Sequence, residues 1–113
     1  MVEPEILKII QDYLQAVNQA SIQVQRAVLF GSWARGDAKP YSDIDLVVIA
    51  PQFDRPNRKL IDCLWELRLA TPETWRIEPI ACGEQQWHQD DSSLILEMAR
   101  REGYIIQQNI KTS

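Results

Sequence analysis

One histidine and two cysteines, His88, Cys63 and Cys82, are the only soft or borderline metal ligands in this sequence apart from its methionines. They offer no zinc spacing, and the cysteines, set in apolar segments, read as small buried hydrophobes. His88 has no paired nucleophile and takes no catalytic role. Long hydrophobic runs are missing too: no stretch approaches the roughly 20 apolar residues that span a bilayer. The first residues, Met1-Val2-Glu3-Pro4-Glu5, are acidic and lack the basic start and apolar centre of a secretory signal. These absences predict a soluble cytoplasmic protein with no membrane association. Basic residues are outnumbered by acidic ones, 12 to 16, for a net charge of −4. A long nucleic-acid track needs a basic face to neutralise phosphates, so none is expected. Repeats, linkers and low-complexity segments are likewise lacking. The 113 residues predict one domain, residues 1–113, with no room for a separate substrate-binding domain.

What is present is a regular alternation of helical and strand patterns. Ile6, Ile9, Ile10, Tyr13, Leu14 and Val17 recur at steps of three and four, which predicts a helix over residues 3–19 with Pro4 in its first turn. Residues 24–30 are rich in β-branched and apolar types and end at Gly31, as a strand running into a turn does. Residues 32–36 leave room for only a short helix before the turn-forming residues 37–42. Residues 43–50 alternate and then become continuously apolar, the pattern of a central strand buried on both faces. A helix is predicted from residue 57 to about 70, stopped by Thr71-Pro72. A third strand follows over residues 75–82, where Pro79 implies an edge or a bulge. One last helix, from Gln85 or Ser92 to Glu102, ends at Gly103, and Tyr104-Ile105-Ile106 closes the chain as a short apolar segment. The fold class expected is α/β, an α+β sandwich with a small mixed sheet packed against helices.

The chemistry is concentrated between the first two strands. Gly31 lets the backbone turn sharply and come close to a phosphate, and Ser32 adds a hydroxyl at the start of the short helix, whose first amides lack acceptors. Asp43 and Asp45 are two apart on the next strand, so both carboxylates leave one face. Such a pair repels itself unless a cation intervenes, and Mg²⁺ suits it, because that ion takes one or two protein carboxylates and fills its shell with water and substrate phosphates. At average residue usage the bare pattern of Gly-Ser, ten residues and Asp-x-Asp arises in about one chain per thousand of this size. An ordinary turn followed by a solvated strand start is therefore the weaker explanation.

Gly31-Ser32-Trp33-Ala34-Arg35-Gly36 followed by Ser42-Asp43-Ile44-Asp45-Leu46 resembles the signature of the DNA-polymerase-beta-type nucleotidyltransferase superfamily. Within it the chain is most similar to the minimal nucleotidyltransferases of HEPN/MNT toxin–antitoxin pairs. The resemblance implies the fold of that superfamily and a third carboxylate on a later strand, for which Glu78 is the candidate. Glu78 would act as general base and complete the binding of a second Mg²⁺; the alternative is an edge-strand acid facing water. The expected catalytic and metal-binding set is Asp43, Asp45 and Glu78. The expected nucleotide-binding set is Gly31, Ser32, Arg35 and Ser42. Arg35 and Lys39 balance phosphate charge or belong to a solvated loop, and Ser42 bonds the nucleotide or stabilises its turn. Arg55, Arg58 and Lys59 read as a solvated helix face. Trp65 and Trp75 read as core residues, whereas Trp33, inside the motif, is open to a nucleotide or a partner.

The resemblance further implies a Mg²⁺-dependent transfer of AMP from ATP to a tyrosine of a HEPN-type toxin, with the chain as antitoxin and in an oligomer with that partner. Two other functions stay open. One is a non-catalytic antitoxin that neutralises its partner by binding; the other is nucleotidyl transfer to a small molecule such as an antibiotic.

Overall fold

In the computed structural model, which describes residues 2–106, four strands form one mixed sheet in the order β3-β2-β1-β4. Met1 and residues 107–113, part of the span read as one domain, lie outside the described residues. Strand β1 is Arg26–Phe30, β2 Ile44–Ile49, β3 Ile77–Cys82 and β4 Tyr104–Ile106. β2 and β4 flank β1 antiparallel, and β3 runs parallel to β2. Helix α1 spans Pro4–Gln19, α2 Ser32–Arg35, α3 Arg58–Glu66, α4 Glu84–Gln89 and α5 Leu94–Glu102.

The period-two pattern of the strands divides the core into two layers. Ala27, Leu29, Ile44, Leu46, Val48 and Ile77 face one way and pack against the stripe of α1 and Leu64 of α3. Val28, Phe30, Val47, Ile49 and Cys82 face the other and meet Trp87 of α4 and Leu96 and Ala99 of α5. This is why residues 46–49 are continuously apolar, since both faces of β2 are covered. The α1 stripe is buried as its spacing predicts. Tyr13, fully buried, donates its hydroxyl to the carbonyl of Leu64 at 2.6 Å and so ties α1 to α3. Burial drives its pKa upward.

Several boundaries differ from the expectation. Tyr104-Ile105-Ile106, read as a closing apolar segment, is a fourth strand, because Leu29, Val28 and Ala27 offer it an otherwise open edge. The last helix is two: residues 90–93 break it, with Asp90 accepting from the Ser92 amide and hydroxyl, and Ser93 capping α5 by accepting from the Leu96 amide. The helix expected to reach residue 70 gives way at Glu66 to a 3-10 turn, Leu67–Leu69. Trp75 does not open a strand, since Thr74–Arg76 is another 3-10 turn and β3 starts at Ile77. Pro79 marks an edge without a bulge: β3 is outermost in the sheet and its register with β2 is unbroken.

Trp65 and Trp75 are not core residues. They are 44% and 53% exposed, because Ile61 and Trp65, one turn apart, lie on the outward side of α3 while Leu64 takes the inward one. The guanidinium of Arg68 stacks on the Trp65 ring, 5.0 Å from its centre, and also donates to the carbonyl of Trp75. Of the two cysteines, Cys82 is buried and Cys63 half-buried. Arg55, Arg58 and Lys59 are exposed, as a solvated face requires. No helix among the described residues is long and apolar enough to cross a membrane.

Candidate active site

β1 ends at Phe30, and the chain reverses through Gly31, whose φ of 77° and ψ of −151° suit only glycine. The same residue is required by its neighbour. A methyl group built on Gly31 would collide with Oδ2 of Asp45 and stand 3.3 Å from its Cγ. The two halves of the motif, far apart in sequence, are thus in van der Waals contact, and the Asp45 carboxylate rests against the backbone of the turn.

Asp45 is the second residue of β2 and pairs with Phe30 on one side and Glu78 on the other. Because β2 and β3 are parallel and in register, the two acids point to the same face, the one that Val47, Ile49 and Cys82 continue beneath α4 and α5. Asp43 precedes the first residue of β2 and is exposed, whereas Asp45 and Glu78 are half-buried. Burial raises the pKa of Asp45, and the Asp43 charge raises it further against the opposing effect of Arg35. Burial also leads the rise at Glu78, followed by the charges of Asp43 and Asp45 and a hydrogen bond with Asp43, with Arg68 opposing. Glu78 therefore belongs to the acidic cluster and does not simply face water.

Proximity is not a finished cage. Among the described residues no group of three or more His, Cys, Asp or Glu side chains is arranged to hold a metal ion. A cation that draws most of its ligands from water and substrate phosphates needs only one or two protein carboxylates. Mutually repelling acids against a glycine that leaves room for them fit such an ion.

The other expected residues stand around this cluster. Ser32 opens α2 and is half-buried. Arg35 closes that helix and pairs with Asp37 at 3.3 Å and with Glu102 of α5 at 3.1 Å. Hydrogen bonds to those two acids raise its already high pKa. Its charge still acts on Asp45, so it is near the site but engaged elsewhere. Ser42 accepts from the Lys39 amide at 2.8 Å, and its own amide donates to the Lys39 carbonyl, so its hydroxyl serves the turn. Trp33 is not open to a ligand in the way its position in the motif suggests. It is half-buried against the α1 layer and donates its indole N–H to the Ser42 carbonyl at 3.0 Å.

Two arginines near the site escape a reading by motif. The charge of Arg68 acts on Glu78, and Arg76 directly precedes β3. Each sits between aromatic or apolar neighbours, Leu67 and Leu69 in one case and Trp75 and Ile77 in the other, and a charge that interrupts an apolar run is the signal that could have found them.

A glycine turn after one strand and acids at the head of the next two thus meet at one end of the sheet. The chain belongs to the nucleotidyltransferase domain family, whose model matches residues 6–97, and its class of activity is nucleotidyl transfer. Family members of this kind act on nucleoside triphosphates with a divalent metal. The fold is similar to the crystal structure of a Sulfolobus solfataricus protein provisionally described as a nucleotidyltransferase. The TM-score is 0.61 at 18% identity, over 89% of this chain and 78% of that one. No curated protein matches the sequence.

Proposed function

We propose that this chain transfers AMP from ATP to a hydroxyl group presented by a partner protein. The observation that carries the reading is the register that sets Asp45 beside Glu78 on one open face, with Asp45 resting on Gly31. Asp43 and Asp45 would hold Mg²⁺, and Glu78 would share in a second ion. Bound Mg²⁺ supplies neutralisation of the triphosphate and of the departing pyrophosphate. Gly31 and Ser32 offer amides to the phosphates, and Arg35, by leaving one of its acids, adds charge to them. Glu78, whose raised pKa suits it to hold a proton, takes the one released by the acceptor hydroxyl. The acceptor oxygen bonds to the α-phosphorus, the bond from that phosphorus to the oxygen bridging to the β-phosphate breaks, and pyrophosphate leaves with the electron pair.

Exposed Trp65, Leu69 and Trp75 lie around Arg68, whose charge acts on Glu78. A broad aromatic surface of this kind favours a protein acceptor over a small molecule such as an antibiotic. The resemblance to minimal nucleotidyltransferases extends the proposal to a tyrosine of a HEPN-type toxin, with this chain as its antitoxin.

The test is to incubate the chain with the HEPN protein, ATP and Mg²⁺ and to weigh the partner. A mass increase of one AMP that disappears in Asp43→Ala and Asp45→Ala is expected. Full neutralisation of the toxin with its mass unchanged would replace the transferase reading with simple binding.

A further inference from the structure

Arg76 is the one charged side chain among the described residues that is buried, with 9% of it exposed. Burying an arginine costs more than it returns unless its donors are matched, and even a matched one is a poor source of stability. Its contacts show what it holds. The guanidinium donates to the carbonyl of Pro40 at 3.0 Å, stands 5.8 Å from the centre of the Trp33 ring, and pairs at 3.5 Å with Glu73, which is largely exposed. Trp33 in turn donates to the Ser42 carbonyl. Two neighbouring side chains, one from the turn before β3 and one from α2, therefore grip the same loop, residues 37–43, on either side of Tyr41, which is 91% exposed.

The loop's other ties are the Asp37 amide to the Ser32 carbonyl, the Asp37 carboxylate to Arg35, the reciprocal bonds between Lys39 and Ser42, and the hydrogen bond of Asp43 with Glu78. It ends at Asp43. The turn that carries Arg76 is itself fixed by Thr74, fully buried, which donates towards the carbonyls of Arg68 and Thr71 and accepts from the Thr71 amide. A cavity beside Arg76 is lined by Glu3, which precedes α1, and Glu5 and Ile6 of α1, together with Trp33 and Pro40. Arg76 thus lies on the α1 side of the sheet, while Asp45 and Glu78 occupy the opposite face.

We infer that Arg76 and Trp33 form a latch that fixes the loop 37–43 and so sets the position of Asp43 for ion binding. Arg76 is a positioning residue, acting through Pro40 and Ser42 without touching the substrate. The inference rests on the proposed role of Asp43 in holding Mg²⁺, and it is tested by two readouts that separate the latch from that role.

The first readout is hydrogen exchange over residues 37–43 without nucleotide. It should accelerate in Arg76→Met and in Trp33→Phe, which keeps the ring but loses the N–H. It should stay at the wild-type rate in Leu96→Ala, a core change on the α5 side that lowers stability generally. The second is the Mg²⁺ concentration that half-saturates ATP binding in calorimetry. Loss of the charged hydrogen bond should raise it about tenfold in Arg76→Met, and Arg76→Lys, which can still reach a carbonyl, should recover most of the loss. ATP binding without Mg²⁺ should be unchanged.

Unchanged exchange in folded Arg76→Met and Trp33→Phe overturns the latch, whatever the nucleotide result. Leu96→Ala moving the Mg²⁺ midpoint equally overturns it as well. Faster exchange in a chain whose wild type shows no Mg²⁺-dependent ATP binding upholds the latch and removes the role given to Asp43. Should Arg76→Met fail to fold, Trp33→Phe carries both readouts.

Discussion

Gly31→Ala would impose two separate costs that different assays can resolve. The first is conformational. At φ 77° and ψ −151° a side chain costs on the order of 1–3 kcal/mol. With an unfolding entropy of roughly 2.1 cal/mol/K per residue, a chain of 113 residues loses about 4 °C of melting temperature for each kcal/mol. A fall of about 4–12 °C follows from the backbone alone. The second cost is steric. The new methyl collides with Oδ2 of Asp45 and lies 3.3 Å from Cγ and 3.5 Å from Cβ, so the carboxylate has to turn away from its seat. That displacement should appear as weakened Mg²⁺-dependent ATP binding. Gly36→Ala separates the two, since Gly36 also has a positive φ, 85°, but a methyl there meets nothing within 4 Å. It should lower the melting temperature and leave nucleotide binding intact. Thermal unfolding followed by circular dichroism and calorimetric titration with ATP and Mg²⁺ measure the pair. The reasoning is refuted by a Gly31→Ala protein that binds ATP and Mg²⁺ as tightly as Gly36→Ala, or that melts with the wild type.

Two further predictions concern stability. The raised pKa values of Asp45 and Glu78 mean that the folded chain holds these protons more tightly than the unfolded chain does. Their contribution is fully favourable below the ordinary values of 3.8 and 4.5 and is lost as pH rises through the raised ones. Metal-free Glu78→Gln should therefore melt above the wild type at pH 7, with the gap closing towards pH 4 and reversing at pH 7 when Mg²⁺ and ATP are added; a gap independent of pH would count against the acidic cluster. Tyr13→Phe removes the hydroxyl that bonds the Leu64 carbonyl at 2.6 Å and should cost about 1–3 kcal/mol by urea unfolding. A neutral result would show that α1 and α3 are held by apolar contact alone.

The residues whose placement was legible in the sequence are those whose environment is local. The α1 stripe and the β2 run have periods that one element decides by itself, and Gly31 with Asp43-x-Asp45 is a pattern of turn and strand chemistry. What escaped depends on contacts between elements. Trp65 resembles a core residue because its own helix has an apolar stripe, and only the packing of Leu64 inward turns it outward. Trp33 sits in a motif that suggests a ligand, but its indole N–H finds the Ser42 carbonyl nine residues on. Tyr104-Ile105-Ile106 is too short to declare itself a strand, and becomes one because β1 has an edge to fill. Arg76 has no pattern at all, since its partners are a carbonyl and a ring from another part of the chain.

The edge position of β3 bears on how a glutamate would serve at residue 78 in the proposed transfer. Asp43 and Asp45 stand at the head of β2, between β1 and β3, where a short side chain suffices because Gly31 and Glu78 border the space. Glu78 is on the outermost strand, followed by a proline that donates no hydrogen bond at that edge. In the proposed transfer a molecule bringing a hydroxyl group would reach the acidic cluster across this outer edge, where the charge of Arg68 acts on Glu78. The additional methylene of glutamate extends the carboxyl away from the strand, and on an edge that length is usable for meeting an acceptor. Inside the sheet the same length would have to displace a neighbour. In the proposed transfer the two aspartates would hold the first ion, while Glu78, besides its share in a second, would use its reach to take the acceptor proton.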